Sequence, residues 1–142
     1  MASLTMSGAV QEAMIAHARR EAPRECCGLL IGRDSHVDEA VAGTNLEAGT
    51  TRYLLDPREH LAVLKRLRDS DRDVIGGYHS HPRSPARPSA TDIAESFSAH
   101  FVYVIVSLAE PEAPVVRAFR IEEGAVREVT IEVVDQASDF RR

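Results

Sequence analysis

Apolar and polar positions alternate along this chain with two periods, and the changes between them mark out the elements. From Ser7 to Glu21, Val10, Met14, His17 and Ala18 recur at helical spacing, with Ser7 placed to cap the first turn and Pro23 to end the segment. The run CCGLLIG, beginning at Cys26, then predicts a short buried strand turning at Gly32, and HVDEAVAG predicts a strand that pairs back with it. Asp56-Pro57-Arg58-Glu59 has the form of a helix start, with an aspartate cap, proline in the first turn and a glutamate to close a capping box. Leu61, Leu64 and Leu67 provide an apolar side to that helix up to about Ser70. DVIGGYHSH predicts a strand stopped by Pro82, and a short helix follows from Ser89 to about Ser98. FVYVIVSL has the continuous apolar character of a central strand. VVRAFRI and AVREVTIEVV alternate around a hairpin turn at Glu122-Glu123-Gly124, and the polar tail, residues 136–142, is expected to fray. The expected architecture is an α/β (α+β) fold in one domain over residues 1–142, a mixed β-sheet with helices packed on it.

Composition narrows the classes of function. With 142 residues, 44% of them hydrophobic, one core can form without disulfides. The net charge of −5 argues against nucleic acid as a partner. No apolar run is long enough to span a membrane, and the N-terminal segment lacks the basic and apolar regions of a signal peptide, so the expected location is the cytoplasm. Cys26 and Cys27 form a lone vicinal pair with no CxxC, which builds no disulfide framework and favours small buried residues over a redox switch or a metal ligand.

The chemistry is concentrated between His79 and Asp92. Residues two apart on a strand face the same way, so His79 and His81 present both imidazoles on one side of a strand end. If the proline-rich loop folds back, Asp92 reaches the same point. Two imidazoles and a carboxylate are the donors of an open zinc site, in which bound water becomes acidic enough to supply hydroxide near pH 7. Other readings stand beside this one. Histidines also collect at exposed strand ends, and Ser89-Ala90-Thr91-Asp92 has the spacing of a capping box, which residue type alone favours over chemistry. A carboxylate aimed at a metal is not expected to point back at its own helix end as well. Glu25, before the buried strand, is the candidate general base, although residue type alone reads it as a solvated carboxylate. His17, His36, His60 and His100 read as solvated or internally satisfied side chains. Arg83 and Arg87 read either as a solvated loop or as a contact for an acidic partner surface.

ECCGLLIG, followed far downstream by H-S-H-P and then S-x-x-D, resembles the JAMM metalloproteases, the MPN or Mov34/PAD-1 family. The family pattern of an upstream glutamate and H-x-H-x7-S-x-x-D falls on Glu25, His79, His81, Ser89 and Asp92 without substitution, and the resemblance extends to Thr44-Asn45 and over nearly the whole chain. It implies a mixed sheet sandwiched by helices, related to the cytidine deaminase fold. It also implies one zinc ion held by His79, His81 and Asp92. Glu25 would hydrogen-bond the zinc water and shuttle its proton, and the Ser89 hydroxyl would steady the developing oxyanion.

The chain looks most like the small prokaryotic members. These imply a partner that is a ubiquitin-like or sulfur-carrier protein, cleaved after its C-terminal Gly-Gly. An extended tail of that kind can add as a strand to a sheet edge, and glycine lets its backbone approach closely. The alternatives are a non-catalytic scaffold that binds such a carrier, or a metal hydrolase acting on another small peptide. The iron-binding facial triad would leave Glu25 and Ser89 idle, and a deaminase would need the missing P-C-x-x-C.

Overall fold

All of the expected strands enter one curled sheet, to which the chain adds one strand that its sequence did not announce. The computed structural model describes residues 3–47, 50–96 and 98–134. In chain order the elements are β1 Leu4–Ser7, α1 Gly8–Glu21, β2 Cys27–Arg33, β3 His36–Ala42, α2 Pro57–Leu67 and β4 Asp73–His81. They continue with α3 Ala90–Ala94, β5 Val102–Ser107, β6 Val115–Glu122, β7 Ala125–Val129 and β8 Ile131–Val134. Among the described residues eight strands form the sheet, in the order β7-β6-β5-β4-β2-β3-β1-β8. The β4/β5, β1/β3 and β1/β8 pairs are parallel and the rest antiparallel, which makes the sheet mixed. The expected frayed tail, residues 136–142, lies outside the described residues.

β1 is too short to show a period in the sequence, yet Leu4 and Met6 are buried and Ser7 caps α1 as expected, accepting from the Val10 amide. The run from Ala125 to Val134 is not one strand. It pairs with β6 in its first half and with β1 in its second, with only Thr130 between. The Thr130 carbonyl accepts from the Leu4 amide at 2.8 Å, so the two ends of the sheet meet at this residue. The expected hairpin turn is present: Glu123 and Gly124 both have positive φ, as a two-residue turn between right-twisted strands requires.

Helices cover both faces. On β2, Leu30 joins the cluster that packs against α1, whereas Leu29 and Ile31 pack against Val63 and Leu67 of α2. Tyr78 of β4 points toward α1 and crosses β2 at Gly28, where a Cβ would collide with its ring. The Tyr78 hydroxyl thereby reaches His17 Nδ1 at 2.7 Å. His79 and His81 fall on the opposite face by the strand period.

α2 is rotated relative to the expected apolar side. Leu61 and Leu64 are about half exposed, and the buried positions are Val63 and Leu67. Glu59 decides this: its carboxylate accepts from the amide and hydroxyl of Thr44, both at 2.7 Å. Residues four and eight beyond Glu59 are then the ones that face the sheet. Glu59 is thus drawn away from a capping box, while Asp56 still caps by accepting from the Arg58 amide. α3 ends at Ala94 rather than near Ser98; the Ser98 hydroxyl accepts from the His100 amide, a local bond that competes with helix. Among the described residues no helix is long and apolar enough to cross a membrane.

Candidate metal centre

β4 is flanked along its length by β2 and β5, and this places its last residues in the middle of the sheet end. His79 and His81 are buried there, 2% and 4% exposed. Their Nε2 atoms lie 3.2 Å apart, and each is 3.1 Å from Asp92 Oδ2. His81 donates from Nδ1 to the Pro85 carbonyl at 2.8 Å, which fixes the ring with its Nε2 turned toward the carboxylate. The loop that supplies Pro85 is itself tied down, because the Ser107 hydroxyl donates to the Ser84 carbonyl.

The capping and ligand readings of Asp92 are not exclusive, contrary to expectation. The box is complete: Ser89 Oγ accepts from the Asp92 amide at 3.0 Å, and the Ser89 amide donates to Asp92 Oδ2 at 2.9 Å. That same Oδ2 faces both histidines. A carboxylate oxygen accepts from several directions, so the cap holds Asp92 in the orientation that closes the triangle. Burial pushes the Asp92 carboxyl upward, but bonds from His79, His81 and the Ser89 amide outweigh it and hold the acid well below the usual range. Burial lowers His79. For His81, contacts with Asp92 and Pro85 overcome burial and raise it.

These donors fit a metal. Nε2 of His79, Nε2 of His81 and a carboxylate oxygen of Asp92 form the one group of three metal-ligating side chains found among the described residues. The triangle edges of 3.1–3.2 Å compare with about 3.3 Å between neighbouring ligands of a tetrahedral zinc ion with bonds near 2.05 Å.

Glu25 is not a solvated strand-end carboxylate. It is 6% exposed, and its Oε1 has no hydrogen-bond partner among the described residues. Burial raises its pKa to about 7, although the His81 charge opposes this. The backbone at Glu25 is clamped from both sides. Asn45 Nδ2 donates to the Glu25 carbonyl at 2.8 Å, and the following Cys26 amide donates to Ser80 Oγ at 2.8 Å. Asn45 is itself held, since its Oδ1 accepts from the Glu47 and Leu54 amides. These clamps escape sequence reasoning because the partners are 20 and 54 residues away. Tyr53 escapes it too: its ring stacks on His79 with centroids 4.5 Å apart, and nothing local in TTRYLLDP signals this.

Glu25, His81 and Ser89 share a cleft of about 380 Å³ with Thr50, Thr51 and Arg83. A larger cavity, about 570 Å³, lies at the other end of β4 beside Val74 and Ile75 and contains none of the triangle residues. Cys26 and Cys27 are free and buried, and burial raises their thiols to about 11 and about 12, so neither is a thiolate at neutral pH. His17 is satisfied internally by Tyr78.

The family profile described as prokaryotic homologs of the JAB domain matches residues 7–122, a span that includes all five residues of the site. The chain belongs to the prokaryotic JAB family. A relative named CysO-cysteine peptidase, from Mycobacterium tuberculosis, is 39% identical over 126 residues, covering 87% of this chain and 86% of that protein. A desampylase from Haloferax volcanii is 34% identical over 111 residues, 73% of this chain and 80% of its own length. The solution structure of protein DSY2949 from Desulfitobacterium hafniense superposes with a TM-score of 0.86 at 37% identity over 97% of each chain. The prokaryotic JAB fold, with helices on both faces of a mixed sheet, is therefore the architecture the sequence implied, and peptidase activity is the activity its relatives are named for.

Proposed function

We propose that this prokaryotic JAB chain, residues 1–142 working as one domain in the cytoplasm, is a zinc-dependent peptidase or isopeptidase. Its substrate is the bond after the C-terminal Gly-Gly of a ubiquitin-like or sulfur-carrier protein. The observation that carries the reading is the convergence of His79, His81 and Asp92 on one point, with the buried Glu25, one of whose carboxylate oxygens has no partner among the described residues, lining a cleft with His81 and Ser89. Zinc held by these three residues would supply hydroxide from water near neutral pH. Glu25, with a pKa raised to about 7, is suited to take a proton and to return it to the leaving nitrogen. Ser89 Oγ accepts from the Asp92 amide, and its own hydrogen has no acceptor among the described residues. It is therefore available to the developing oxyanion. The names of the relatives, which mention CysO-cysteine and desampylation, support a carrier protein as the substrate.

The deciding experiment is intact-mass analysis of a ubiquitin-like carrier extended by a short peptide after its Gly-Gly, incubated with the zinc-loaded protein. Release of the extension at the Gly-Gly carbonyl by wild type, and not by Glu25→Gln, is expected. Binding of the carrier without cleavage, at full zinc content, would replace this reading with that of a scaffold.

A further inference from the structure

The cleft that holds Glu25, His81 and Ser89 is also lined by Arg83. The loop carrying Arg83 is pinned on both sides: the Ser84 carbonyl accepts from Ser107 Oγ at 2.6 Å, and the Pro85 carbonyl accepts from His81 Nδ1. Pro82 precedes it and restricts the backbone. Arg83 is exposed and makes no ion pair or side-chain hydrogen bond with any described residue. The neighbouring cations are committed elsewhere. Arg24 donates to the carbonyls of Asn45 and Glu47, and Arg52 is paired with Glu95 at 2.8 Å. Arg87 does not line the cleft. A guanidinium held on a rigid loop, with its donors unused, beside the groups that would cleave the bond is a binding element for a carboxylate.

The leaving nitrogen must face Glu25 to receive its proton. Arg83 and Glu25 line the same cleft, so a group carried on that nitrogen enters the space that Arg83 borders. In a leaving group that is a single amino acid, the α-carboxylate sits two bonds from this nitrogen. We propose that Arg83 selects for a free α-carboxylate on the leaving group, so that the preferred substrate is a carrier carrying one amino acid after its Gly-Gly. A lysine isopeptide or a longer peptide is then the poorer substrate. In the reaction, the C–N bond after the second glycine breaks and a C–O bond to water forms. One water proton passes through Glu25 to the departing amine, and the products are the carrier carboxylate and a free amino acid. This inference rests on the peptidase reading.

The test uses the zinc-loaded protein and a ubiquitin-like carrier ending in Gly-Gly followed by one alanine, prepared with a free α-carboxylate and as the α-amide. Wild type, Arg83→Ala and Arg83→Lys are compared by kcat and KM for each substrate, with zinc content measured alongside. Wild type is expected to prefer the acid by about tenfold in kcat/KM, as for a charge-assisted contact at an exposed side chain. Arg83→Ala brings the ratio close to one, mainly by raising KM for the acid, and Arg83→Lys keeps part of the preference. Equal rates for acid and amide in wild type would overturn the inference while leaving the peptidase standing. So would a preference that survives Arg83→Ala, or an equal loss on both substrates. Cleavage of neither substrate by wild type would remove the peptidase reading, and this inference with it.

Discussion

One face of β4 meets a buried histidine of α1 and the other carries two of its own, and the contrast shows which kind of burial signals chemistry. On the α1 side, His17 meets the Tyr78 hydroxyl at 2.7 Å, inside a cluster of Met14, Ala18 and Leu30. Burial lowers the pKa of this histidine, and the neutral pair satisfies itself. On the other face, His79 and His81 turn their Nε2 atoms toward the same carboxylate oxygen, and a fourth buried group, Glu25, is left with an oxygen unpartnered. One polar contact closes a core; the other leaves donor atoms aimed at a shared point. Burial alone does not separate them, since His17 and His81 are equally exposed at 4%. Convergence does.

The most damaging change to this contrast is expected from the triangle itself. His79→Ala or Asp92→Ala should abolish stoichiometric zinc, read by elemental mass spectrometry, and with it all turnover. Normal zinc content in either variant would end the ligand assignment. Glu25→Gln comes next: zinc is retained and turnover falls by about 10²–10⁴-fold. Ser89→Ala should keep the metal and slow the reaction by about 10²-fold. It also removes the α3 cap that orients Asp92, so zinc affinity, measured against a competing chelator, should weaken as well.

The smaller effects concern stability and sharpen the comparison. The Glu25 carboxyl has a pKa of about 7 in the folded chain, above its unfolded value near 4.5, so folding favours its protonated form. The metal-free protein should therefore lose stability as pH rises from about 4.5 through 7, by about 2–3 kcal/mol from this group. Glu25→Gln should remove that pH dependence and raise the melting temperature of the metal-free protein at pH 8. An unchanged melting curve would show that Glu25 meets solvent. Tyr78→Phe, on the other face, leaves His17 Nδ1 unpaired and should cost about 1–2 kcal/mol by denaturant titration, with zinc content and turnover unaffected.

Where periodicity extended over several turns or a full strand, the sequence was readable. α1, β2, β4, β5 and the Glu123-Gly124 hairpin lie where the apolar pattern and the turn residues put them. Short or borrowed signals were not readable. β1 has four residues, and its strand pairing comes from β3 and β8, more than twenty residues away. The rotation of α2 follows from Glu59 bonding to Thr44, which overrides the spacing of Leu61 and Leu64. The division of the last apolar run at Thr130 requires the sheet to curl until its ends meet.

The candidate site divides in the same way. Spacing alone put His79 and His81 on one side of a strand, and S-x-x-D alone put Ser89 and Asp92 on one helix turn. Both are consequences of local geometry over a few residues. Whether Asp92 serves its cap or the histidines was decided only by the folded loop, which lets one oxygen do both. The burial of Glu25 and the clamps from Asn45 and Ser80 also required the tertiary structure, because desolvation is a property of what surrounds a group and not of the residue itself. The sequence by itself determined which donors were available and how neighbours along the chain face one another. Only the assembled sheet decided which of them meet, how dry their surroundings are, and where the unsatisfied charge is left.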